Sequence, residues 1–172
     1  MKNRMILSAL ILMVGIFFVA SGNLAFAEMN YGYVDVAKVF DDYEKTKQND
    51  EELQKEGQSR EQERETMVAE IRQLKDELAL MDGDAKEKKR EEIQKKVDAL
   101  QDFDREIRRD LGGRRNKIVQ EIFQDIDDTI QRYGERKGLD VVFNERALVY
   151  RKDKFDVTEE ILTELNKNYK KK

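Results

Sequence analysis

Adjacent carboxylates are the residues of this chain best equipped for chemistry, and they occur at Asp41–Asp42, Asp127–Asp128 and Glu159–Glu160. Two carboxyls that share a site can divide the acid and base roles between them, one keeping its proton while the other stays ionised. Neighbours at i and i+1 on a helix point in different directions, however, so these pairs read as solvated helix surface. The rest of the catalytic repertoire is thin. The chain has no His and no Cys, which removes the usual general base, thiol nucleophile and zinc ligands. It carries no G-x-x-x-x-G-K-[ST] stretch to cradle nucleotide phosphates. The sequence argues against an enzyme, and it predicts no metal, cofactor or nucleotide.

Charge offers a second kind of chemistry. Lys86, Lys88, Lys89 and Arg90 gather beside Asp82, Asp84 and Glu87, and Arg114, Arg115 and Lys117 form another basic group. Either group can attract anionic lipid heads or acidic partners, and the plainer account is solvated helix surface. The overall balance is acidic, with 33 Lys and Arg against 37 Asp and Glu. Nucleic acid is therefore not an expected partner, because neutralising phosphates needs a basic face.

Residues 1–27 read as a targeting segment. Lys2 and Arg4 precede an apolar run from Met5 to Ala20, broken by Ser8 and Gly15, and Ala25-Phe26-Ala27 gives a small-x-small end. That order is a secretory signal peptide, with cleavage expected after Ala27 and a periplasmic location for the rest. The alternative is an uncleaved anchor, for which the run is short against a ~20-residue span. Without Lys2 and Arg4 the formal charge of −4 becomes −6.

The elements that must position these residues are mainly helical. Zero Pro fits long uninterrupted helices. "MNYGYVDV" predicts a short strand, after which Asp35 caps a helix with Val36, Val39, Phe40 and Tyr43 on one face. From about Thr46 the composition turns to Glu, Gln, Lys and Arg over a thin apolar stripe. Met67, Ile71, Leu74, Leu78 and Met81 step by 4, 3, 4 and 3, a heptad seam. Carried backwards, the same register puts Arg64, Arg60 and Gly57 in the seam before Leu53 restores it. Asp82-Gly83-Asp84 marks a turn, and the stripe resumes at Ile93, Val97, Leu100, Ile107 and Leu111 with Phe103 beside it. Two such segments flanking one turn make an antiparallel helical hairpin of about 50 Å.

Gly112-Gly113, with Gly57 nearby across the hairpin, is either a hinge at the arm's base or a tolerated weak spot in a long helix. Beyond it, Ile118, Val119, Ile122, Phe123, Ile126, Ile130 and Tyr133 form a wide apolar face that needs a larger partner than one helix. Gly138 is the expected left-handed residue past its end. "LDVVFNERALVY" then predicts a β-hairpin turning at "NER", and "FDVTEEILTELNKNYKKK" a closing helix capped by Asp156 or Thr158. Pairing the first strand with this late hairpin gives a three-stranded sheet. Its open edges are a reason to expect further copies of the chain. The domain plan is thus a signal at 1–27, a body made of 28–45 and 118–172, and an arm at 46–117 with its turn at 82–84.

Read together, "YGYVDVAKVF", the charged helical hairpin and "Y…KGLDVVF…ALVY…DVTEEILTELN" resemble the Skp/OmpH family of periplasmic chaperones. The most specific stretches are Gly138-Leu139-Asp140-Val141-Val142, Tyr150, Asp156-Val157-Thr158 and Leu165-Asn166. The resemblance implies a homotrimer whose strands close a central β-barrel, with three arms around a cavity for unfolded outer-membrane proteins. It implies an ATP-independent holdase that delivers its clients for membrane assembly. Tyr33, Val34, Val141, Val142, Phe143, Leu148, Val149 and Tyr150 would build the oligomerisation body. Met67, Ile71, Leu74, Leu78 and Met81 would offer adaptable client contacts, although zipping the hairpin is the simpler role for each. Lys86, Lys88, Lys89 and Arg90 would meet an anionic lipid surface weakly, and here the chain departs from the strongly basic character of the best-known members. The competing reading is an envelope coiled-coil adaptor that binds one folded partner.

Overall fold

A computed structural model describes residues 29–170, so the signal segment at 1–27 lies outside the described residues. The chain opens with strand β1 (Tyr31–Val34), helix α1 (Val36–Asp42) and helix α2 (Glu44–Ala79). A short turn leads into helix α3 (Asp84–Lys137), then strand β2 (Val141–Asn144) and helix α4 (Thr158–Tyr169).

Local chemistry sets each boundary. The Asp35 carboxylate accepts the Lys38 N–H at 3.0 Å and caps α1. Tyr43 then leaves the helical region (φ −63°, ψ 127°), which separates α1 from α2. The turn into α3 ends at Gly83, whose φ of 66° favours a residue without Cβ. Gly138 closes α3 in the left-handed region (φ 65°). Its N–H bonds Glu135 O at 3.3 Å and the Leu139 N–H bonds Gly134 O at 2.9 Å, a Schellman ending. At α4, the Asp156 side chain accepts the Thr158 N–H at 2.9 Å, while the Thr158 hydroxyl accepts the Asp35 N–H at 3.0 Å. Neither residue caps α4 as expected, because the N-cap position falls on Val157, which makes no side-chain cap bond; Thr158 instead ties α4 to the start of α1.

The sheet differs from the sequence expectation. Among the described residues it has two strands, and β1 and β2 run parallel, with Tyr31 opposite Val141 and Val34 opposite Asn144. The stretch after β2 does not return as a hairpin strand. A three-residue hairpin loop wants a left-handed glycine, and "NER" has none. Instead the Asn144 side chain accepts the Arg146 N–H at 3.1 Å and starts a 3-10 turn over Glu145–Ala147. Leu148, Val149 and Tyr150 follow as irregular chain. On the far side of β1 the third element is a single parallel bridge from Tyr33 to Asp156.

The core sits where β1, α1, the last third of α3 and α4 meet. Val34, Val39, Tyr43, Ile122, Ile126, Tyr133, Ile161 and Leu165 are all buried there. The wide apolar face of α3 thus finds the partner it needs, and Phe40 stacks on Phe123 with ring centroids 5.2 Å apart. Away from this body, α2 and α3 continue as a two-helix arm.

Candidate functional site

The arm is the first candidate surface. Met67, Leu74, Leu78 and Met81 are half-buried along the seam, and Ile71 and Ile93 are its two buried residues. Met67, Ile71, Leu74 and Leu78 therefore lie along one line of α2, while Met81 falls beyond its end, in the turn. Leu80, which the heptad pattern left out because it lies beside the seam, is 89% exposed at the apex. Its signal in the sequence was its place directly before the turn.

Ion pairs join the two helices along their length. Lys45 meets Asp125 at 2.8 Å, Arg64 meets Asp104 at 3.0 Å, Glu70 meets Lys96 at 2.9 Å and Glu77 meets Lys89 at 3.1 Å, while Glu56 pairs with Arg114. The hydrogen bond to Lys89 holds the Glu77 carboxyl below its ordinary range, and hydrogen bonds to Glu77 and Glu92 raise Lys89. Such partly exposed pairs each contribute about 0–1 kcal/mol. They matter more for alignment than for strength.

These pairs also use part of the basic tip cluster. Lys89 is shared between Glu77 and Glu92, and Arg90 pairs with Glu87 at 2.5 Å. Lys86 and Lys88 form no ion pair among the described residues. The glycines selected as a hinge sit in regular helix: Gly57 within α2, and Gly112 and Gly113 within α3, which continues unbroken to Lys137. A Cβ at any of the three would meet nothing within 4 Å.

Where α2 leaves the body it is tied on two sides. The Tyr43 hydroxyl and Lys45 both reach the Asp125 carboxylate of α3. Burial and that carboxylate push the Tyr43 phenol well above its usual range. From α4, Asn166 accepts the Glu44 N–H at 2.9 Å and Tyr169 donates to Gln48 at 2.5 Å.

The second candidate surface is on the body, beside β2. Tyr33 and Val34 are buried in the chain's own core, and Val142 packs against it. Val141, Phe143, Val149 and Tyr150 are exposed, Val149 completely. Seven of the eight residues assigned to the oligomerisation body therefore divide into an inner and an outer set, with Leu148 half-buried between them. Tyr33, Phe143, Leu148, Tyr150 and Phe155 line an open groove of about 400 Å³. Over it, Arg151 stacks on the Tyr33 ring at 5.4 Å and Lys154 on the Phe155 ring at 4.5 Å.

Among the described residues no helix is long and apolar enough to cross a membrane, and no group of acidic side chains is arranged to hold a metal.

A family model described as outer membrane protein (OmpH-like) matches residues 30–165. The fold is similar to a crystal structure from Caulobacter crescentus, described as that of a candidate OmpH-like outer membrane chaperone. The TM-score is 0.75 at 16% identity, over 83% of this chain and 86% of that one. No curated protein matches the sequence.

Proposed function

The chain belongs to the OmpH-like outer membrane protein family, and we propose that it is an ATP-independent periplasmic holdase for unfolded outer-membrane proteins. The observation that carries this reading is the pairing of a small packed body with a long two-helix arm over the whole family match. A body of this kind keeps its fold while the arm contributes many weak contacts, which add through effective concentration.

In this reading the copies meet through the outer set on the body. Val141, Phe143, Val149 and Tyr150 leave apolar surface and an unpaired edge of β2 in water, which a neighbouring copy would cover. Three copies would bring their strands into one closed barrel, with the unpaired stretch from Leu148 to Tyr150 available for pairing between subunits. The arms would then surround a shared space. Clients would touch the open flanks of Met67, Leu74, Leu78 and Met81, while buried Ile71 mainly zips the hairpin. Lys86 and Lys88 would give the tips a weak attraction to anionic lipid.

The test is suppression of aggregation when a β-barrel membrane protein is diluted from urea without ATP. Full protection at a small molar excess is expected, and unchanged aggregation at several-fold excess would overturn the reading. Solution mass tests the assembly: a stable monomer would remove both barrel and cavity.

A further inference from the structure

Arg64 and Asp104 stand where the two halves of the arm should meet on apolar side chains. On α2 the seam steps from Arg64 to Met67 to Ile71, and on α3 from Leu100 to Asp104 to Ile107, so both charges occupy seam positions. Both are half-buried, as the seam requires, and they bond each other at 3.0 Å. Arg64 also lies 3.6 Å from Glu61.

A two-helix seam keeps both its flanks in water, and a third helix covers such a flank in higher coiled coils. Met67, Leu74 and Leu78 are half-buried, so each leaves part of its apolar side chain open along the flank of the arm. The same open apolar flank is present on every copy of the chain, so another copy's arm is the nearest competitor for it. The charged layer changes that balance. The side chains of Arg64 and Asp104 are 39% and 24% exposed, so their charges still reach water through the flanks of the seam. A helix laid over that flank would strip that water, and the pair's mutual attraction would not return the desolvation cost.

We infer that Arg64 and Asp104 are gatekeepers that hold the arm as a two-helix hairpin by making its open flank unfavourable for a second copy's arm to cover. The pair acts on association between arms and leaves the body untouched. The inference concerns the change on substitution, so it stands apart from the subunit number of the assembly.

The experiment compares Arg64→Leu/Asp104→Leu with Asp102→Leu/Arg105→Leu. The second variant makes the same change in charge and apolarity at an exposed ion pair on the outer face of α3. Light scattering across concentration should give the parent's flat mass for the outer-face variant. The seam variant should show a mass rising with concentration. Because the chain has no Cys, a spin label at Lys95→Cys can report whether distances between chains shorten in the seam variant alone. Association by neither variant, or by both equally, overturns the inference. If the leucine pair lowers helix content, Arg64→Met/Asp104→Met gives the same reading, and a parent-like mass from that variant overturns the inference as well.

Discussion

Arg136 grips Glu164 through two guanidinium nitrogens, at 3.1 and 2.5 Å, and so fastens the last turn of α3 to the middle of α4. Bidentate pairing of this kind is among the stronger charge contacts. The hydrogen bonds from Arg136 hold the Glu164 carboxyl below its ordinary range. A carboxyl depressed in the folded state adds stability above its unfolded pKa of about 4.3, and that stability is lost as pH falls through the lower folded value. Glu164→Gln should therefore lower the urea midpoint at neutral pH. The difference from the parent should shrink steadily through the acid range below about pH 4. A constant difference at every pH would show that the pair contributes packing alone.

Ile126 is fully buried at the centre of the body. Ile126→Ala should cost about 2–5 kcal/mol, read as a lower urea midpoint. A value well under this range would mean that α3, α1 and α4 close around the space left behind.

Gly112 and Gly113 lie in regular helix with open space around them. Alanine at either position should stabilise the chain by about 0.5–1 kcal/mol, because glycine is the more entropically costly residue in a helix. Hydrogen exchange should slow locally in step. A stabilised variant that loses the ability to hold clients would make these glycines a working joint, and one that keeps it would leave them a tolerated weak spot.

Raising salt from about 0.1 to 1 M shortens the screening length from roughly 10 to 3 Å and weakens the cross-helix ion pairs. Amide protection should fall first in the arm around Glu70 and Lys96, whose side chains are nearly half exposed. The body around Ile122 and Ile161 should keep its protection. Uniform loss through both regions would show that arm and body open as one unit.

Val149 makes no packing contact that its exposure could hide. Val149→Asp should leave the thermal unfolding of a single chain unchanged while lowering the solution mass of the assembly. An unaltered mass would place the contact between copies elsewhere on the body.

The helices were legible because each carries its own periodic evidence. A heptad seam announces both the helix and the face it buries, and Met67 to Leu78 lie where that spacing puts them, while Met81 falls past the helix end. Gly83 and Gly138 were legible for a local reason, since positive φ at a helix end selects glycine. The sheet was not. β-branched residues at 141–143 say that the chain is extended, but strand direction depends on a partner more than a hundred positions earlier in the sequence. The fate of Leu148 to Tyr150 turned on one side-chain contact, from Asn144 to the Arg146 N–H, that no pattern advertises. The surfaces were legible by composition and not by orientation. Tyr33 and Val149 look alike in an apolar run, yet one lies in the core and the other in solvent.

Helix α3 runs through 54 residues, from the apex beside Gly83 to the ending at Gly138, a length of about 80 Å. Its last turns are clamped into the body, and β2 begins three residues past Gly138. The helix is therefore a one-piece lever. A load on the tip is carried along one unbroken helix to the strand edge that the proposed assembly would share. A bound client that tilts an arm would pull on that edge, and the mechanical state of one arm would be felt by the neighbouring copies at their roots.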